Sequence, residues 1–166
     1  MSGDGAEGPE AGRSLRRRRW ALVVGAVLLL AFLGRLALGI APPPEIGLRL
    51  GSLHPCPDSD NCVRSSADDP RHAIDPLACP ADRFEDVVQV ALTELPRTEL
   101  VELTNGYAHL RSTTRWMGFV DDLELLADGE VTQVRSASRL GRGDFGTNRD
   151  RVEALRGHLD EAAPCD

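Results

Sequence analysis

Four cysteines are the residues of this chain whose chemistry depends most on their surroundings. Cys56 and Cys62 have five residues between them in HPCPDSDNCVRSS, and the others are Cys79 and Cys165. Structural zinc sites usually have cysteines two to four residues apart, and redox pairs usually read C-x-x-C, so this spacing is typical of neither. In an oxidising compartment four cysteines form two disulfides in one of three pairings. Proximity favours Cys56–Cys62 with Cys79–Cys165, and a zinc site completed by nearby histidines is the rival interpretation.

An apolar segment near the N-terminus indicates the compartment. It reads RRRRWALVVGAVLLLAFLGRLALGIAPPP, and no charge interrupts it from Trp20 to Gly34. Residues 16–41 are long enough for a hydrocarbon core of ~30 Å, so they predict a single transmembrane helix or signal anchor. The four arginines before the run predict a cytoplasmic N-terminus and an extracytoplasmic remainder. Cleavage after Gly39 as a signal peptide is the alternative, and it exports the same domain.

The segment divides the chain into four parts. Residues 1–15 predict a disordered cytoplasmic tail, residues 42–53 a linker, and residues 54–166 the exported domain. Residues 41–166 contain 13 arginines and 23 acidic residues, for a net charge of −10. So acidic a domain repels phosphate backbones, which argues against general nucleic-acid binding.

The hydrophobic pattern of the domain predicts an α+β fold. ADRFEDVVQVALTELP has apolar residues at helical spacing, and RVEALRGHL predicts a second helix near the C-terminus. Between them lie four strand candidates, with Asn105-Gly106 and Asp128-Gly129 as hairpin signals. We expect a two-layer sandwich: a four-stranded antiparallel meander with two helices on one face, preceded by the transmembrane helix.

Alternation along the strands sorts the side chains between the two faces. The apolar residues suit the face covered by the helices. The opposite face would carry His109 and Arg111, Asp122 and Glu124, and Arg135 on three neighbouring strands. This pattern predicts either a solvated face with weak ion pairs or a polar recognition surface.

Three motifs resemble the domain of unknown function 1499 family: CPDSDNCVRSS, HLRSTTRWMGFVDDLELL and VRSASRLGRGDFGTNRDRVEALR. The resemblance runs from about His54 to His158 and implies no established activity. Asp60 and Gly143 depart from the family's common motifs, which have Pro and Ser there. The positions to which the resemblance points are Cys56, Pro57, Asn61, Cys62, Ser65, Arg111, Phe119, Asp121, Asp122, Glu124, Arg135, Ser136, Ser138, Arg139, Gly141, Asp144, Gly146, Asn148 and Arg149.

Motifs and strand geometry together predict a membrane-anchored envelope protein with a non-enzymatic binding module. Its ligand would be an anionic small molecule or a partner protein, and no catalytic residue, metal or cofactor is indicated. A hydrolase that uses Asp122 and Glu124 is one alternative, and a purely structural envelope domain, in which Asn148 caps the last helix, is another. The expected ligand-binding residues are Arg111, Asp122, Glu124, Arg135, Arg139, Asn148 and Arg149.

Overall fold

The computed structural model describes residues 10–40, 45–115, 117–162 and 165. Its first element is helix α1, Glu10–Ile40, whose part up to Ala37 belongs to a compact unit of its own. The helix therefore begins inside the predicted disordered tail, and residues 1–9 of that tail lie outside the described residues. Within the part of the chain that is described, no helix has the length and apolarity needed to cross a membrane. The transmembrane assignment of residues 16–41 stays a prediction.

The rest of the chain folds around an antiparallel sheet of five strands, in the spatial order β3-β7-β6-β5-β4. The last four strands in the chain form the predicted meander, and β3 is an additional edge strand beside β7. The prediction of four strands missed β3 because three residues are too few to show alternation. The strands are β3 (Cys62–Arg64), β4 (Thr98–Thr104), β5 (Tyr107–Thr113), β6 (Val120–Asp128) and β7 (Val131–Ser138).

Both predicted hairpin turns are present. The first lies between β4 and β5, where Gly106 has a φ of +80°, and the second lies between β6 and β7, where Gly129 has a φ of +62°. Side chains with a Cβ rarely adopt such values, so glycine is needed at both turns.

Two helices cover one face of the sheet. Helix α2 spans Phe84–Glu94 after a 3₁₀ turn at Ala81–Arg83, and α3 spans Thr147–Ala162. Their buried apolar residues join those of β5, β6 and β7 in one core. Its helix members are Phe84, Val87, Val88, Ala91, Val152, Leu155 and Leu159, and its main strand members are Leu110, Leu123, Leu125 and Val134.

A segment before β3, which we call the strap (residues 45–58), crosses the opposite face. It contains a small hairpin of β1 (Leu48–Arg49) and β2 (Ser52–Leu53). The backbone N–H of Gly47 donates to Oε1 of Glu124 at 2.8 Å, and Leu53 is buried. Residues 45–53 of the predicted linker thus belong to the strap, which packs on the sheet.

Both predicted disulfides are present, so the zinc interpretation of the cysteines is wrong. Cys56–Cys62 joins the strap to β3, with 5.7 Å between the Cα atoms. Cys79–Cys165 joins the segment before α2 to the C-terminal end, with 4.8 Å between the Cα atoms.

Candidate functional site

The face of the sheet beneath the strap carries the predicted charged residues. Strand register places Glu124 between His109 of β5 and Arg135 of β7. Asp122 and Glu124 are each 0% exposed, and Arg135 is 1% exposed. Of the two alternatives for this face, the solvated face with weak ion pairs is therefore wrong, since its central charges are buried. A buried charge is costly unless it is paired, so the pairing within this face decides what it can do.

Glu124 is the centre of the first buried cluster. One carboxylate oxygen accepts hydrogen bonds from the Tyr107 hydroxyl at 3.0 Å and from the Gly47 N–H at 2.8 Å. The other oxygen pairs with Nη1 of Arg135. Burial and the neighbouring carboxylate raise the pKa of Tyr107 well above its usual value, so its hydroxyl remains a donor.

Asp122 is the centre of the second buried cluster. Arg139 binds it with two parallel hydrogen bonds, Nε to Oδ2 at 2.9 Å and Nη2 to Oδ1 at 2.8 Å. Nε2 of His109 lies 2.8 Å from Oδ1. Burial by itself would raise the pKa of Asp122, but the hydrogen bonds from His109 and Arg139 outweigh it and lower that pKa. Asp122 is therefore held as a carboxylate.

The other two arginines of the predicted site, Arg111 and Arg149, lie away from the buried clusters. Arg111 is half-buried and pairs with Glu99 of the neighbouring strand, Nε to Oε1 at 2.7 Å. Nη2 of Arg149 donates to the backbone carbonyls of Ala73 at 2.8 Å and Arg71 at 3.2 Å. Neither set of contacts involves Asp122 or Glu124, so neither residue belongs to the buried clusters.

Asn148 belongs to a separate network on the helix side of the sheet. Its Oδ1 accepts from the Ser136 hydroxyl at 2.6 Å, and its Nδ2 donates to the Asn61 carbonyl at 3.0 Å. The cap of α3 is Asp144, which accepts from the N–H of Asn148 at 2.8 Å and from that of Gly146 at 3.0 Å. The capping role predicted for Asn148 thus falls to Asp144.

The helix side also has a recess of about 320 Å³ at the end of the sheet. Phe145 is fully exposed beside it and has a φ of +55°, which is unusual for a bulky residue. Side chains alternate along β6, so Asp121 lies on the helix side and Asp122 on the strap side. Asp121 pairs there with Arg151 of α3. The motif residues that line the recess are Phe119, Asp121, Ser138, Gly141 and Asp144.

A further recess, of about 220 Å³, lies between the strap, β3 and the β6–β7 hairpin. We call it the Arg64 recess. Its lining is mainly polar and includes Ser52 of the strap, Ser66 and Gln133. Sequence reasoning missed Arg64 as a site residue, because β3 was not predicted and its face of the sheet was unknown.

Similarity to known sequences agrees with the motifs. A family described as "Protein of unknown function (DUF1499)" matches residues 52–159. The chain belongs to this family. No curated protein and no solved structure matches the chain. The match covers β3 to β7, α2 and most of α3, and it includes Asp122, Glu124 and Asn148.

Proposed function

We propose that this DUF1499 domain is a non-enzymatic binding module for a small anion. The supporting observation is the charge of the face beneath the strap. Arg64, Arg135 and Arg139 bring three guanidinium groups to this face, whereas Asp122 and Glu124 bring two carboxylates. Each of these carboxylates pairs with an arginine, whereas Arg64 has no ion pair within the described part of the chain, although the domain as a whole is strongly negative. A local positive charge within a polar recess favours an anionic ligand.

The hydrolase alternative has less support. Asp122 and Glu124 are both committed to arginines and fully buried. A general acid and base need carboxyls whose environments separate their pKa values, and a nucleophile needs a base within reach. His109 is bonded to Asp122, and it lies on the opposite face of the sheet from Ser136.

We place the domain outside the cytoplasm as part of the proposal, with residues 16–41 as its membrane attachment. The two disulfides support this location, because cytosolic thiols are normally kept reduced. Labelling of the thiols in a whole-cell lysate prepared under denaturing, non-reducing conditions tests it. Unlabelled cysteines support export, whereas four labelled cysteines contradict it.

A thermal-shift series on the full-length protein tests anion binding. Phosphate, sulfate and small carboxylates are compared with sodium chloride at the same ionic strength, because salt screens surface charges non-specifically. A ligand that binds only the folded state raises the melting temperature as its concentration rises. We expect such a rise with at least one oxyanion. If every oxyanion behaves as sodium chloride does, the proposal is wrong.

A purely structural domain is the second candidate, and the Asn148 network favours it. That network joins β3, β7 and α3 through buried polar side chains, with Asn148 itself 0% exposed. The same thermal-shift series separates the candidates, because a structural domain has no reason to respond to oxyanions beyond the effect of ionic strength.

A further inference from the structure

We infer that the Arg64 recess is the anion site and that it takes a single compact oxyanion, a carboxylate or a phosphate group. The inference rests on the proposed function and adds the site and the ligand class. The recess lies outside the seven residues that the sequence predicted as a binding site. It is formed by the strap on one side and by β3 and the β6–β7 hairpin on the other.

The first argument is the hydrogen-bonding state of Arg64. Its Nε is buried and has no acceptor among the described residues. Its backbone N–H donates to the carbonyl of His72 at 2.8 Å, so the backbone donor of Arg64 is satisfied. A buried donor without an acceptor is unfavourable, and an anion in the recess would supply the missing acceptor.

The second argument is the position of Arg135. Arg64 and Arg135 are directly opposite in the pairing of β3 with β7, and like charges at such positions repel each other. Glu124 pairs with Nη1 of Arg135, yet Nε of Arg135 is also buried without an acceptor among the described residues. Among the described residues Glu124 pairs with Arg135 and no carboxylate pairs with Arg64, so an anion beside Arg64 would balance its charge.

The third argument is the chemistry of the lining. Ser52 contributes a hydroxyl to the lining. Ser66 and Gln133 bond to each other at 3.0 Å, and Gln133 also donates to Asp128 at 3.0 Å. A guanidinium beside hydroxyl groups is suited to the planar oxygens of a carboxylate or the oxygens of a phosphate.

The size and the surrounding charge limit the ligand. A recess of about 220 Å³ accommodates a compact group. Asp128 is an exposed carboxylate at the rim, and the domain as a whole is acidic. A polyanion would be repelled by both, so we expect one anionic group per ligand.

Isothermal titration of the full-length, disulfide-bonded protein tests the site. Sodium phosphate and sodium acetate are titrated separately at constant ionic strength, which distinguishes phosphate from carboxylate recognition. Arg64→Gln should weaken the binding of the preferred anion by about tenfold or more, the effect of losing one charge-assisted hydrogen-bonding group. The control is Arg83→Gln, which removes a partly exposed arginine paired with Asp86 of α2 and should change the dissociation constant less than about twofold.

The outcomes separate the two proposals. Removing Arg64 also removes a like-charge contact, so the melting temperature of the anion-free variant should not fall. If Arg64→Gln does unfold, Arg64→Lys keeps the charge but not the planar donor pair, and it should bind more weakly than the wild type. Unchanged anion binding in a folded Arg64 variant overturns the site and leaves anion binding intact. No saturable binding of either anion to the wild type overturns both.

Discussion

Glu124 shows, at the scale of single residues, how this fold tolerates buried charge. We expect Glu124→Gln to destabilise the protein by roughly 3–5 kcal/mol, because it keeps the shape of the side chain but leaves Arg135 buried without its carboxylate. The measurement is the free energy of unfolding from urea denaturation. Glu99→Gln is the matched control, since it breaks the partly exposed pair with Arg111 and should cost less than about 1 kcal/mol. Equal losses in the two variants would contradict the buried-pair argument.

Asp122 gives a prediction about pH. Its pKa is lowered in the folded state by His109 and Arg139, so the unfolded state binds more protons as pH falls. Asp122 therefore contributes stability above its unfolded pKa of about 3.9, and that contribution is lost as pH falls through the lower folded pKa. The difference in unfolding free energy between the wild type and Asp122→Asn should be largest near neutral pH and shrink below about pH 4.

Urea denaturation at a series of pH values between neutrality and pH 3 measures this difference. Asp128→Asn serves as the control because Asp128 is exposed and lies outside the buried clusters. It should follow the wild-type pH dependence. A gap between wild type and Asp122→Asn that stays constant across the series would exclude the assigned role of the carboxylate.

Helix α3 is anchored, at the scale of elements, by two residues with different roles. Asp144 caps its first turn, and loss of a cap costs about 1 kcal/mol. Asn148 forms hydrogen bonds to Ser136 of β7 and to the backbone of Asn61, the residue before β3. We expect Asn148→Ala to cost clearly more than Asp144→Ala, above about 2 kcal/mol, because it leaves several buried polar groups without partners. Thermal and urea unfolding of both variants measure this; a larger loss for Asp144→Ala would reverse the two roles.

The two disulfides differ in their effect at the scale of the whole molecule. Cys79–Cys165 closes a sequence separation of 86 and Cys56–Cys62 one of 6. Loop-closure entropy then gives stabilisations of about 4.6 and 2.2 kcal/mol. Replacing Cys79 and Cys165 by alanine should therefore lower the free energy of unfolding by about 2 kcal/mol more than replacing Cys56 and Cys62. Urea unfolding of the two double variants gives the values, and non-reducing peptide mapping confirms the remaining disulfide in each. Equal costs would show that strain or residual structure outweighs chain entropy.

The sequence by itself determined the features that depend on local pattern. The 3.6-residue spacing of apolar residues predicted α2, and strand alternation with Asn105-Gly106 and Asp128-Gly129 predicted the meander β4–β7. Alternation also placed Asp122 and Glu124 on the face opposite to the helices. The parity and spacing of the cysteines predicted both disulfides. Apart from Cys79–Cys165, which joins distant residues and followed from the even number of cysteines, these features rest on residues close in the chain or on backbone geometry that repeats at a fixed period.

Only the tertiary structure decided which charged residues are buried and which face the recesses. The strap has no periodic pattern, so its path over Glu124 could not be predicted. The burial of the polar face depends on that path and could not be predicted either. Arg64 lies opposite Arg135 because of the register of β3, a strand of three residues. The contact between Asn148 and Asn61 spans 87 residues of chain. Such contacts depend on how distant segments pack together, and no local propensity specifies them.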